Sequence, residues 1–330
     1  MSAQLQHYVP RFLLNRFSDQ TSGLIHIFDK HHDKTFKSAA ENTAAERGFY
    51  NFEFCGMPMS LENGLSEIEG EVGDYIAKIV RDGRLHPEDV IEHEVLSSFL
   101  SVQAVRTRAS FATIQDLSLR FEAYARSLGA EPADFTLDPK LGGKDNAAKA
   151  HFAKMICNAQ RDFTPLFMDK DWHLLKTTRD KPFLIGDQPL TLFNDTDMSP
   201  RGSLGLKVKG IQMHFPLTPT LALGMTCRSI AQELRDGLHR LSALAAINSA
   251  AAQMFSSLPA AAKPILDAIS TGLPMTAEAS VVEHFNLLQI SNAERFVFSS
   301  DGDFRLVREM IASNAELRHG NRLVEANGAF

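Results

Sequence analysis

Four groups of polar residues, far apart in the 330-residue chain, carry side chains able to do chemistry. His7 and Tyr8 stand just before Pro10, Arg11 and the apolar residues Phe12, Leu13, Leu14 and Phe17, so an imidazole and a phenol sit at the entrance of a short helix. Glu67 and Glu71 are one turn apart on a second helix, and Gln103 and Arg106 share a face of a third. Asp187 follows the apolar run Phe183-Leu184-Ile185, at the end of a buried strand where the backbone fixes a carboxylate's direction. Brought together, these groups suit a metal-dependent phosphoester hydrolase, nuclease-like if the phosphoester belongs to nucleic acid. Glu67, Glu71 and Asp187 hold Mg²⁺ or Mn²⁺ through hard oxygen ligands, and His7, Asp187 and Glu71 form the catalytic set, with His7 activating water. Tyr8, Arg11, Gln103 and Arg106 bind the substrate, and Arg106 steadies the phosphoryl charge.

The same residues admit two other readings. In one, the protein is a non-enzymatic sensor or interaction module whose Arg106 and His7 recognise an anionic small molecule, a nucleotide included, or a protein partner, while the acids orient the arginines. In the other, the residues form a buried polar network that fixes the fold. There, Asp187 accepts backbone N–H groups in an Asx-turn, His7 holds the helix entrance, and Arg106 pairs with Glu67 or Glu71.

Motifs for other chemistries are missing. Glu92-His93-Glu94 lacks a second histidine at the spacing of a zinc-protease helix, and neither phosphate-loop pattern nor a GxSxG elbow occurs. His31-His32 lies in the polar run 29–34 between two strand-like segments, which reads as a solvated hairpin tip. His214, between Met213 and Phe215, reads as a core strand residue. The three cysteines, Cys55, Cys157 and Cys227, are far apart and lack a CxxC pair, so buried free thiols in a reducing compartment are expected. A net charge of −6 argues against broad nucleic-acid binding, which needs a basic footprint, and 201–209 has too few charges to supply one. The opening residues lack the pattern of a secretory signal, and no apolar stretch reaches the length of a membrane span. A cytoplasmic location without a membrane partner is the expectation.

The elements that must position these side chains follow from periodicity. After the first short helix, Leu24 to Phe28 and Thr35 to Lys37 pair as a hairpin. An amphipathic helix covers 61–81, with apolar residues at Leu61, Leu65, Ile68, Val72, Ile76 and Ile79. A helical pattern from Pro87 to Leu128 is too long for one element, and a break is expected at 107–110. A Pro- and Gly-containing loop at 131–146 precedes a helix over 146–162 that Pro165 stops. Short strands are expected at 171–177, 183–185, 211–215 and 221–226, helices at 238–257 and 277–293, and a late strand at 295–298. A helix-rich half followed by a strand-rich half, without βαβ alternation, gives an α+β fold. It is read as a single domain over 1–330, with a helix-rich sub-lobe (1–165) carrying a small hairpin and a second (166–330) of a small mixed or antiparallel sheet packed with C-terminal helices.

Several segments together resemble a bacterial family of unknown function that opens on His-Tyr-Val-Pro. They are His7-Tyr8-Val9-Pro10 with Phe12 and Phe17, Phe49-Tyr50, the acidic helix with Glu67 and Glu71, and Gln103-Ala104-Val105-Arg106-Thr107. Trp172, then Phe183-Leu184-Ile185-Gly186-Asp187-Gln188-Pro189-Leu190, Phe215-Pro216-Leu217-Thr218-Pro219 and 286–299 continue the match. Gly186 and Gln188 depart from the Ser and Asn expected there. The resemblance spans most of the chain and implies one cooperative fold, without an assigned activity.

Overall fold

The computed structural model describes residues 5–129, 144–195, 204–248, 253 and 257–320. Strand β1 (Leu5–His7) leads into helix α1 (Arg11–Arg16), whose first turn accepts Pro10 as its cap. Strands β2 (Leu24–Asp29) and β3 (Lys34–Ala39) form the expected hairpin. Strand β4 (Ala45–Arg47) pairs with β1, and β5 (Asn51–Phe54) pairs with β6 (Met57–Ser60). Helix α2 (Glu62–Asp82) follows, then α3 (Val90–Gln103) and α4 (Arg108–Ser127). The break between the last two comes where the long pattern requires one. Thr107 is extended and its Oγ1 accepts the Ser110 N–H, which caps α4 and ends the run from α3.

The expected stop at Pro165 is not observed. Helix α5 (Lys144–Met168) runs through Pro165 to its last turn, where one lost N–H and one crowded carbonyl are cheap enough to tolerate. It also begins inside the expected loop, of which 131–143 lie outside the described residues. The second half holds β7 (Lys170–Lys176), β8 (Ile185–Gly186), β9 (Thr191–Phe193), β10 (Gln212–Thr218) and β11 (Leu221–Cys227). Helix α6 (Arg228–Ile247) begins directly after β11, ten residues before the expected start, because its stripe runs through charged sequence rather than the Ala-rich segment. The rest are α7 (Ser257–Thr271), β12 (Met275–Thr276), α8 (Ala279–Asn292), β13 (Phe296–Ser299) and α9 (Arg305–Ser313).

The class is α+β, with two larger sheets in place of the one expected. One has the order β12-β7-β11-β10-β9, antiparallel except for β12 on β7. Its Trp172, Leu174, Met213, Phe215, Leu223 and Met225 enter the main core with the helices of the first half, and Leu175 and Ala222 face α8 through Val282 and Phe285. The other, β3-β2-β13-β8, joins the early hairpin to strands from the second half. Ile25, Ile27, Ile185 and Phe298 enter the main core, while Phe28, Leu184 and Val297 pack on Phe304, Val307 and Ile311 around α9.

On the α8-facing side of the five-stranded sheet, His173, Gly224 and His214 lie side by side on β7, β11 and β10. The His173 ring covers Gly224, where a Cβ would come within 2.3 Å of its Nε2. The cysteines are free, as expected, but not buried: Cys55 and Cys157 are exposed and Cys227 is half-buried. Among the described residues, no helix is long and apolar enough to cross a membrane.

Candidate functional site

The break between α3 and α4 turns the Gln103 and Arg106 side chains onto the backbone at the end of the first strand and the residue after it. Gln103 Nε2 donates to the Tyr8 carbonyl at 3.1 Å, and Arg106 Nη2 donates to the His7 carbonyl at 2.9 Å. The Tyr50 hydroxyl lies 3.2 Å from that carbonyl and 2.9 Å from the carbonyl of Arg106. Gln6 Oε1 accepts the Tyr50 N–H at 2.6 Å. Two of the four residues assigned to substrate, Gln103 and Arg106, thus grip the protein's own chain. Arg106 is fully buried, so its charge must be met inside the fold, and Glu69 on α2 meets it. Its Nε and Nη1 have no hydrogen-bond partner among the described residues, and the Tyr50 ring lies 6.0 Å from its Cζ.

Pairing Arg106 with Glu67 or Glu71 is therefore corrected by two residues. Leu65, Glu69, Val72 and Ile76 recur at four, three and four, which places Glu69 on the core-facing stripe. Glu67 and Glu71 point to solvent from the opposite side. That stripe was the available signal, obscured because a carboxylate is not expected on it. Among the described residues, no group of three or more His, Cys, Asp or Glu side chains is placed to hold a metal ion. The expected grouping of Glu67, Glu71 and Asp187 around one cation does not match this geometry.

His7 is half-buried, and burial lowers its pKa against the opposing carbonyls of Ala40 and Glu41 and the charge of Glu69. Its Nε2 lies 3.1 Å from the Glu41 carbonyl, which can only accept, so Nε2 carries a proton and donates it. Arg11, exposed on α1, contributes a smaller, opposing charge. Tyr8 is buried against Phe49 at 5.7 Å, and burial pushes its phenol pKa well up, assisted by Asp187.

Asp187 occupies a different junction. Its carboxylate accepts three backbone N–H groups at the start of β13, from Glu294 at 2.7 Å and from Arg295 and Phe296 at 2.9 Å each. Burial nevertheless pushes its pKa up to about 6, against those donors and the charge of Lys30. Lys30 is itself fully buried, and its Nζ donates to the Ile290 and Ala293 carbonyls at 2.7 and 2.6 Å, closing the C-terminal end of α8. Burial lowers its pKa to about 8. Arg295 pairs with Asp29 through Nε and Nη2 at 3.1 and 2.8 Å. Asp187 accepts backbone N–H groups, as one reading had it, but from a strand a hundred residues away rather than from its own turn. The His7 ring faces the Glu41 carbonyl and the Asp187 carboxylate faces the β13 backbone, while the Asp187 charge is felt at the Tyr8 phenol.

Residues interleaved with the clamps do converge. Ala104 and Val105, between Gln103 and Arg106, and Gln188 and Leu190, after Asp187, line one cleft of about 970 Å³. Phe163, Leu192, Leu206 and Leu288 make the rest of its wall largely apolar. Gln188 and Ser291 add neutral polar groups, exposed Lys207 adds a cation, and exposed Asp162, paired with Arg161, adds a carboxylate. The cleft is of the size and character of small-molecule sites. Gln289 and Asn292 on α8 shape it by donating to the Pro189 carbonyl at 2.7 Å and the Leu190 carbonyl at 3.1 Å.

A family described as Protein of unknown function (DUF4238) matches residues 5–303. No curated protein and no solved structure matches the chain.

Proposed function

The chain belongs to the family described as Protein of unknown function (DUF4238), and from that premise we propose a non-enzymatic binding module for an amphipathic small-molecule anion. One observation carries the reading: the two segments that clamp the fold with Gln103, Arg106 and Asp187 present their intervening residues to the same apolar cleft. An aliphatic tail lies along Val105, Leu190 and Leu288, and an anionic head reaches Lys207. Among the described residues the wall has a single carboxylate, Asp162, which pairs with Arg161, and no imidazole, so it suits retention of a ligand better than water activation.

The test is calorimetric titration with a long-chain fatty carboxylate and with the matching alcohol. The expected result is saturable binding of both, tighter for the carboxylate. Leu288→Trp fills the cleft and abolishes both, and Lys207→Glu weakens the carboxylate alone by roughly tenfold. Absence of binding, or binding indifferent to Leu288→Trp, overturns the reading. Stoichiometric Mn²⁺ binding lost in Glu71→Gln would instead favour the hydrolase.

A further inference from the structure

A second cavity, of about 610 Å³, opens where the C-terminal end of α1 meets the turn between β10 and β11. Arg16 lines it, half-buried, with its Nε fully enclosed and without a hydrogen-bond partner among the described residues. Burial lowers the Arg16 pKa, and no neighbouring charge opposes the effect. A guanidinium cannot shed its proton at ordinary pH, so a partly enclosed one without a counter-charge leaves its desolvation cost uncompensated. Arg179 brings a second guanidinium to the same wall. Among the described residues, neither arginine has a carboxylate within ion-pair distance.

Two carboxylates also line the cavity, but each is engaged in its own turn. Asp19 Oδ1 accepts the N–H groups of Thr21 and Ser22 at 2.9 and 2.7 Å. Asp301 Oδ1 accepts the Ser299 hydroxyl at 2.6 Å and the Asp303 N–H at 2.9 Å. The rest of the wall is rich in hydroxyls, from Ser18, Thr218, Thr220 and Ser300. Among the described residues it holds no aromatic ring on which a nucleobase could stack, and only Val80 and Pro219 are apolar.

We propose that this cavity binds a phosphate monoester with a small hydroxyl-bearing body, a phosphorylated polyol or sugar, with the phosphoryl group on Arg16 and Arg179. The planar guanidinium donors match phosphoryl oxygens, and the volume exceeds a bare phosphate, leaving room for the polar body among the hydroxyls. The site is separate from the apolar cleft and independent of the ligand assigned there.

Calorimetry with glycerol 3-phosphate, inorganic phosphate and glycerol tests this on the whole protein. The expected order is glycerol 3-phosphate tightest, inorganic phosphate weaker and glycerol without binding. Arg16→Gln should lose roughly 100-fold in affinity and Arg179→Ala roughly tenfold. Because Arg16 supports no internal ion pair, Arg16→Gln should match or exceed the wild-type midpoint in urea without ligand, yet gain nothing from added glycerol 3-phosphate. No heat with either phosphate, or equal affinity in wild type and both variants, overturns the proposal. A fatty carboxylate titration run beside it reads the other site, so either assignment can fail alone.

Discussion

Arg106 shows how a residue with every attribute of an anion-binding group can be occupied from within. Its Nη2 serves both the His7 carbonyl and the Glu69 carboxylate, and its head is fully enclosed. Arg106→Met removes both interactions and strands a half-buried carboxylate, at an expected cost of about 3 kcal/mol in urea denaturation. Glu67→Gln and Glu71→Gln, on the exposed face of the same helix, should change stability by less than ~0.5 kcal/mol. Equal effects from Glu69→Gln and Glu71→Gln would contradict the pairing. The polar residue types in these clamps were readable from the sequence because Gln, Arg and Asp beside apolar runs call for an explanation. Their partners were not, since Tyr8, His7 and β13 contribute carbonyls and N–H groups that every residue possesses. Lys30, inside a polar run that reads as a turn, offers no sequence signal for its burial.

At the scale of single elements, the five-stranded sheet makes stability depend on pH. His173 and His214 are almost fully buried, and burial pushes their pKa values down from 6.5 to about 4 and about 3. Below pH 6.5 the unfolded chain therefore takes up two protons that the native sheet refuses, and stability falls as pH drops. Asp187 acts in the other direction. Its native pKa of about 6 lies above 3.8, so between those values the folded state holds a proton that the unfolded state has released. Among these three groups, two protons against one leave a loss of about 1.4 kcal/mol per pH unit between roughly pH 6 and 4. The lowered pKa values of His7, His26, His31 and His93 act in the same direction as the two sheet histidines. Urea midpoints measured from pH 7 down to pH 4.5 should show this decline, and His214→Leu should flatten it. Its Nδ1 has no partner to lose. An unchanged pH profile in that variant would rule out the histidine as the source. Periodicity located most helices and the four chief strands of the second half, because their apolar residues repeat at three and four or at two. It missed β1, β4, β5, β6, β9 and β12, which are two to four residues long and too short to show a period.

For the molecule as a whole, the order of synthesis differs from the order of contact. Strand β2 pairs with β3 on one side, but its other edge is filled by β13, and Lys30 reaches 260 residues along the chain to close α8. A growing polypeptide therefore leaves the ribosome with the Ile25, Ile27 and Phe28 strand open along one side until β13 has been made. Chains terminated before residue 296 should be recovered in aggregates, while the full chain stays in the supernatant after centrifugation. Quality control in a producing cell thus has a late checkpoint: the arrival of one short strand, β13, decides whether another made long before it is ever safe from its neighbours.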